Sequence, residues 1–550
     1  MAQPIASPGP GDTRDHPTAP GDRRWMILAV VGVAQLMVVL DSTIVNIALP
    51  SAQHALGFAN SDRQWVVTSY ALAFGSLLLV GGRLGDMYSR KRVLITGLIG
   101  FAVASAIGGA AVSFVMLVVA RALQGAFGAI LAPAALGTLV STFRDPRERR
   151  RAFAVFGSVA VGGGAVGLIL GGVLTQYLSW RYTLFVNLIF AAIAVAGALV
   201  YIRSSRPATP PRMDWPGAVL ACAGLFLIVF GFSHAETASW TATLTLGSLV
   251  LGAVLLTAFV VAEQRSSHPL LPLRVILDRT RGGSYVAVGI TGIALFGIFL
   301  FLTFYMQQVK GDSPLTTGLL FLPLVAGILV ASTLYSALPP IGPRPLVTAG
   351  MLLGAGGTAY LAQLTVTSSY LGGVLPALLI MGLGFGMIFA SAVNSATAGV
   401  PRQDSGVASA LVNTMQQVGG SIGISVLSTI TASATTSYLI AHHTGPQAPA
   451  IAATHGYTLA FTISAALLGL GAILAILMLP SRKRLQELTS EAPALIPEPE
   501  AAAPALAPQL QVTSAPHPAV KVMPVGLLCC SPVIDPGLPP AESADLIRQR

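Results

Sequence analysis

The sequence predicts an all-helical protein that crosses a membrane many times. Hydrophobic residues make up 54% of the 550 positions and charged residues 9%, whereas a soluble domain carries about 25% charged residues. Mean hydropathy is +0.74. Apolar runs of about twenty residues, the length that spans a bilayer core of about 30 Å, recur from near residue 25 to near residue 480.

In chain order the runs lie near 25–49, 65–82, 93–112, 114–140, 152–174, 182–202, 215–234, 242–262, 283–306, 315–337, 345–364, 370–396, 405–433 and 456–480. That is fourteen transmembrane helices, an even number, so both termini are expected on one side. The first run is too long for a signal-peptide core and is kept as a span. Basic residues in short loops set orientation. One set of loops carries Arg83, Arg90, Lys91 and Arg92, then Arg144, Arg147, Arg149, Arg150 and Arg151, then Arg203, Arg206 and Arg212. Arg265, Arg274, Arg279, Arg281, Arg344, Arg402 and Arg482-Lys483-Arg484 follow on the same side. The opposite loops hold only Arg63, Arg181 and Lys310. The bias places both termini in the cytoplasm. It also explains the net charge of +10 as topology rather than a nucleic-acid footprint.

Trp25, Trp65, Trp180, Trp215 and Trp240 all fall at or beside span ends, where an interfacial aromatic belt belongs. Residues 1–24 read as a cytoplasmic N-terminal tail, and residues 481–550, rich in Ala and Pro, as a disordered cytoplasmic tail. Cys222 reads as a small core residue, and the adjacent Cys529 and Cys530 give no metal-ligand spacing. No cofactor is implied.

Two halves are expected. The loop Gly82–Leu94 after span two has a degenerate counterpart in Pro339–Leu346 after span ten, with Ser89 opposite Gly342. The chain then divides into a six-helix bundle at 25–203, two inserted linker helices at 213–262 and a second six-helix bundle at 283–480. Parallel six-span halves are a known transporter plan.

The charge pattern singles out span one. Asp41 lies within Leu40–Pro50, deep in an apolar run, and Arg121 is the base at comparable depth. A charge at the centre of a bilayer costs roughly 2.5–3.5 kcal/mol or more, so such residues face a bundle interior, a wet cavity or a partner. A functional site is one reading; a structural ion pair, a snorkelling side chain, or an Arg bonded to backbone carbonyls is the bland one. Arg121, Gln124, Gly125 and Gly128 share one helix face by spacing. So do Asn413, Gln416, Gln417 and Gly420 in span thirteen, while span one adds Gln35, Ser42 and Asn46. Those amides either bind a substrate in a central cavity (Gln35, Asn46, Gln124, Asn413, Gln416, Gln417) or tie helices together.

The loop after span two holds Gly82, Asp86, Arg90, Lys91 and Arg92 in an ordered pattern that charge bias alone does not explain, the alternative being an ordinary positive-inside loop. Asp86 stands four residues before Arg90, in position to pair with it or to cap a helix end. Gly163, Gly167 and Gly171 repeat every four residues in span five, a small-residue strip for close helix packing. His442, His443 and His455 are placed in a solvated outer loop rather than at a metal site or a pH sensor.

With these residues in place, the chain resembles the fourteen-span drug:proton antiporter branch of the major facilitator superfamily, the EmrB/QacA-like multidrug exporters. The resemblance runs from about Trp25 to Pro480 and rests on Leu40–Pro50, Gly82–Leu94 and Arg121-Ala122-Leu123-Gln124-Gly125. Further similarity covers Trp180-Arg181 with Phe185 and Asn187, Asp214-Trp215-Pro216-Gly217, Pro269 to Arg274, Ser313-Pro314 and Ser405-Gly406. Ser89 stands where the loop usually has glycine; Leu168 and Ile189 stand where prolines are common. The Leu168 change weakens, without removing, the case for export over import.

The resemblance implies a major facilitator fold and a proton-driven antiporter that exports amphipathic organic compounds, drugs or antibiotics, across the cytoplasmic membrane by alternating access. Asp41 and Arg121 would couple protonation to substrate occupancy, and the Asp86/Arg90 loop would latch the cytoplasmic side. Each charge moving down the membrane potential supplies about 2.3 kcal/mol per 100 mV. The partners implied are a small organic substrate, protons and lipid, with no nucleic acid and no obligate protein partner. Alternatives are a dedicated exporter of one self-made metabolite, or a non-transporting receptor or scaffold on the same fold. A nucleotide-driven pump is excluded by the lack of a Gly-x-x-x-x-Gly-Lys-Ser/Thr loop. An enzyme is not expected, since no nucleophile–base pair or metal cluster stands out.

Overall fold

The computed structural model describes residues 21–143, 145–204, 214–266, 269–271, 273–337, 342–397, 400, 405–442 and 445–481. The tails beyond these bounds, Cys529, Cys530, Arg402 and the Arg482-Lys483-Arg484 run lie outside the described residues, as do the Asp86 and Arg150 side chains.

Among the described residues the chain is entirely helical. The helices are α1 (Gly21–Leu56), α2 (Arg63–Met87), α3 (Arg90–Gly109), α4 (Phe114–Thr142), α5 (Pro146–Tyr177), α6 (Tyr182–Tyr201), α7 (Trp215–Thr237) and α8 (Thr243–Arg265). After the single turn α9 (Leu273–Ile276) come α10 (Arg279–Phe304), α11 (Pro314–Leu320), α12 (Leu322–Ala337), α13 (Pro343–Leu361), α14 (Leu375–Thr397), α15 (Ser405–Ala441) and α16 (Ala448–Met478). Wide π turns at Tyr305–Val309 and Tyr370–Val374 adjoin α10 and α14. Among the described residues, twelve helices are long and apolar enough to cross a membrane. Helix α13, with Arg344 and four glycines, falls outside that set, and α2 is not among its members.

Helix limits follow local chemistry. Ser113 caps α4 by accepting from the Met116 amide. Asp145 caps α5 with Pro146 at its first position, and Asp214 caps α7 by accepting from the Gly217 amide. These are the favoured residues at helix starts. Predicted span ten is interrupted at Phe321, because Pro323 lacks an N–H and its ring crowds the carbonyl four residues earlier. Two limits correct the sequence reading. Helix α15 runs on to Ala441 and α16 starts at Ala448, so His455 is helical rather than in a long loop. Threonines, serines and Pro449 had masked those turns in the hydropathy signal. His443 lies outside the described residues.

Packing repeats along the chain. Helix α1 packs on α5 and α6, α2 on α4, and α3 on α4 and α6; likewise α10 packs on α15 and α16, α12 on α14, and α13 on α14 and α16. Ser89 occupies the N-cap position of α3 and Gly342 that of α13, the two residues set opposite each other by sequence. Helices α7 and α8 pair with one another, and α7 also lies on α2 and α15. The two sets meet where α2 runs along α15 and α5 along α11.

Close approach depends on glycine, since packing rather than hydrophobic burial drives helix association in lipid. Along α5, a methyl group on Gly163 would lie 3.0 Å from Leu36 of α1, and one on Gly171 would lie 2.9 Å from Ile44. Gly167 abuts Thr43 and the Leu40 carbonyl. The carbonyl of Leu168, the residue in the proline position, lies against Gly318 of α11.

At the end of the bundle that holds the α2–α3 turn, Arg83 donates to the Pro269 carbonyl at 2.6 Å, tying α2 to the segment after α8. Glu263 of α8 shapes that segment by accepting from the amides of Leu270 and Leu271 at 3.3 and 3.0 Å. Arg83→Ala is expected to cost about 1.5 kcal/mol, the low end for a charged donor because the side chain is half-buried. Thermal unfolding of the purified protein checks this; an unchanged transition would contradict it.

Candidate functional site: a buried ion pair among five helices

Asp41 has no exposed surface and Arg121 is 1% exposed. Asp41 lies near the middle of α1, and Arg121 lies two turns into α4. Arg121 Nη1 donates to Asp41 Oδ2 at 2.6 Å. The same nitrogen donates to Gln124 Oε1 at 2.9 Å, and Arg121 Nε donates to the Val66 carbonyl of α2 at 3.1 Å. The Tyr70 ring of α2 lies beneath the guanidinium, 4.4 Å from Cζ, a contact worth about 2 kcal/mol when desolvated.

The second carboxylate oxygen is equally occupied. Gln124 Nε2 donates to Asp41 Oδ1 at 2.9 Å and Asn187 Nδ2 of α6 donates to it at 2.7 Å. Gln124 Nε2 also reaches Ser105 Oγ of α3 at 2.7 Å. Gln124, Ser105 and Asn187 are fully buried. Five helices thus meet in one network, and the carboxylate accepts from three side-chain donors, one of them the opposite charge. Removing two charges from solvent costs several kcal/mol per ion, recovered only with good geometry and satisfied hydrogen bonds. The ionised acid meets those conditions here. Placing a proton on either oxygen turns an acceptor into a donor that faces an N–H.

The structure therefore brings together Asp41, Arg121 and Gln124. It adds Asn187, which the sequence offered only inside the motif around Trp180, and also Ser105 and Tyr70. Single uncharged polar residues and lone aromatics are common in spans and carry no hydropathy signal. Other amides lie elsewhere. Asn46 donates to the Ser42 carbonyl of its own helix at 3.0 Å, Gln35 is half-buried and Asn413 is exposed. Gln417 lies at the α2–α15 contact, where a methyl group on Gly75 would be 3.1 Å from its Cβ; the Gln416 backbone faces Gly292 of α10.

In the loop after α2, Arg90 donates to the Gly137 carbonyl of α4 at 3.0 Å and Lys91 to the Leu199 carbonyl of α6 at 2.8 Å. Arg92 is exposed. The closest helix contact beside this loop is at Gly81, against the Ala129 carbonyl, while Gly82 is less crowded. Hydropathy also hid two charges at helix ends: Glu263 and Arg63 are 4% and 6% exposed.

Comparison with known proteins agrees with this architecture. A family model described as Major Facilitator Superfamily matches residues 31–424. The chain is 46% identical over 477 residues to the puromycin resistance protein pur8 of Streptomyces alboniger, covering 86% of this chain and 95% of that one. It is 40% identical to the cephamycin export protein CmcT of Amycolatopsis lactamdurans, covering 74% and 85% of the two chains. It is 33% identical to the lincomycin resistance protein of Streptomyces lincolnensis, covering 84% and 92%. Among solved structures it resembles a bacterial homologue of the human lysosomal transporter Spinster, with a TM-score of 0.59, 14% identity and coverage of 86% and 99%. A POT family peptide transporter gives a TM-score of 0.60 at 16% identity, covering 83% and 96%. The fold and the buried site define a multi-pass membrane protein of the transporter class. The chain belongs to the Major Facilitator Superfamily, and its relatives there include antibiotic resistance and export proteins.

Asn187→Asp places a second carboxyl where Asp41 Oδ1 requires a donor. Transport is expected to fall more than tenfold, with Asn187→Ser falling less; equal rates in native and Asn187→Asp vesicles would contradict the assigned role.

Proposed function

We propose that the protein is a proton-driven exporter of amphipathic organic compounds, antibiotics among them, across the cytoplasmic membrane. The observation that carries this reading is the buried Asp41–Arg121 pair with its amide donors. Relatives named for puromycin resistance, cephamycin export and lincomycin resistance support the substrate class.

The chain is organised as fourteen passes, with bundles at 25–203 and 283–480, linker helices at 213–262 and both termini cytoplasmic. The repeated packing pattern supports this division. The arginine bias of the loops supports the orientation. With the site open to the more acidic side, Asp41 takes up a proton, the ion pair with Arg121 is lost, and an amide donor must turn away. That local mismatch shifts α1 against α4 and α6 and links protonation to the swing of the two bundles. Return of the proton on the other side restores the three donors. The Tyr70 hydroxyl and Asn187 Oδ1, buried without a protein hydrogen-bond partner, lie beside the pair and give water-borne protons polar contacts.

Gly82, Asp86, Arg90, Lys91 and Arg92 form the cytoplasmic latch, supported by the anchoring of Arg90 and Lys91 on α4 and α6. Gln35, Asn46, Asn413, Gln416 and Gln417 are the remaining polar candidates for contact with substrate. A dedicated exporter of one self-made antibiotic is the second reading, favoured because these relatives are each named for a single compound.

Uptake of puromycin and a panel of unrelated amphipathic drugs into everted vesicles tests both. Proton-gradient-dependent movement of several compounds is expected. Movement of one compound alone favours the second reading, and movement unaffected by collapsing the gradient contradicts proton drive.

A further inference from the structure

Arg63, the first residue of α2, is 6% exposed, yet it has no carboxylate within 4.0 Å among the described residues. Its guanidinium lies among three aromatic rings carried by helices of the other packing set. Cζ stands 4.3 Å from the ring centre of Phe304 and 5.9 Å from that of Phe301, both on α10, and 5.6 Å from that of Tyr457 on α16. Nη1 donates to the Tyr457 hydroxyl at 3.5 Å, a long bond, and Nε is buried without a partner. Phe301, Phe304 and Tyr457 are themselves buried. The wide π turn at Tyr305–Val309 begins immediately after Phe304, and such turns often mark functional positions in helices.

This cation is held differently from Arg121. Arg121 has a carboxylate, whereas Arg63 has ring faces and one hydroxyl. Ring contacts contribute about 0.5–2 kcal/mol each, against several kcal/mol to bury an unpaired ion. The contact is therefore readily exchanged.

Its place gives it a task. It lies at the end of the bundle away from the chain termini, where α1 and α10 also meet as Gln307 Nε2 donates to the Ile47 carbonyl at 3.0 Å. At the same end a methyl group on Gly172 of α5 would sit 2.5 Å from Leu315 of α11. Opening this end requires α2 to move away from α10 and α16, which draws Arg63 out and leaves the rings facing one another.

We propose that Phe301, Phe304 and Tyr457 form an organic-cation site of the guanidinium or alkylammonium class, and that Arg63 is its tethered occupant. Arg63 in the cage closes this end of the transporter. Arg63 out of the cage leaves a site that a soluble cation can fill. The inference requires only that the two helix sets separate at this end, so it is independent of which compound is exported and of proton drive.

The test uses the full chain in nanodiscs, with native cysteines replaced by serine and spin labels at Ala59→Cys and Ile451→Cys. Electron-spin distance measurements read the separation of this end. Arg63→Ala is expected to raise the population with a long separation at least tenfold, and n-propylguanidinium, which fills the cage without tying it to α2, to raise the same population in the native protein. The same guanidinium should have no effect on Arg63→Ala combined with Phe304→Ala. Should Arg63→Ala fail to fold, Phe304→Ala alone must raise the long-distance population. An unchanged distance distribution in the folded variant, or a response to n-propylguanidinium that survives Phe304→Ala, overturns the proposal.

Discussion

Asp41→Asn is expected to abolish proton-driven transport and to destabilise the protein by roughly 3–5 kcal/mol, the cost of leaving one member of a buried ion pair uncompensated. The asparagine fits the space of the aspartate but presents an N–H toward one of the donors from Arg121, Gln124 or Asn187, which now reach 2.6, 2.9 and 2.7 Å to the carboxylate. Arg121 keeps the Val66 carbonyl and the face of Tyr70, and these do not replace a full opposite charge. Removing the guanidinium as well, in Asp41→Asn with Arg121→Gln, relieves that burden. The double variant should be more stable than the sum of the two single losses by about 1–3 kcal/mol, as residues in one network couple. Its transport should remain absent. Thermal unfolding and transport measured on the same four proteins check both statements; additive losses of stability would contradict the coupling.

Gly125→Val is expected to be the most damaging change that leaves every charge in place. A side chain at Gly125 would run into the Tyr70 carbonyl, backbone of α2 that cannot turn aside, with Ala73 3.1 Å away. Helix α4 would have to retreat from α2, taking Arg121 from the Val66 carbonyl and from the Tyr70 ring. Overpacking of a close-packed contact costs about 1–3 kcal/mol, and here the displaced helix also carries Gln124 away from Asp41. Transport should fall more than tenfold, with folded protein still recoverable. Gly157→Val, at a glycine of α5 with open space around it, should leave both yield and transport near native. Equal behaviour of the two variants would contradict this account of the packing.

The charged heart of the site was legible in the sequence because burying a charge in hydrocarbon is costly enough to be rare. Asp41 and Arg121 stood out for that reason, and Gln124 followed from its place one turn after Arg121. Their mutual contact needed the fold, since it joins residues 80 positions apart. Asn187 and Ser105 were invisible as site residues: an uncharged polar side chain in a span fits equally well as helix glue. Tyr70 offered only an aromatic ring. The glycine strip of α5 was legible because spacing alone puts Gly163, Gly167 and Gly171 on one face, whereas the partner face on α1 was not. The spacing put the amides of α15 on one face, whereas in the structure the Gln416 backbone lies against Gly292 of α10 and Gln417 Cβ against Gly75 of α2. Hydropathy gives no direction to a helical face. Arg63 and Glu263 were hidden for a related reason: a charge at the end of an apolar run reads as a boundary, although both lie buried among neighbouring helices.

The most direct test of the central claim is proton exchange by the purified protein itself. In weakly buffered detergent solution, adding a transported drug to the native protein should release protons into the medium, and Asp41→Asn should bind the same drug while releasing none. Equal proton release from the native protein and from folded, drug-binding Asp41→Asn would contradict the assignment of Asp41 as the coupling carboxylate.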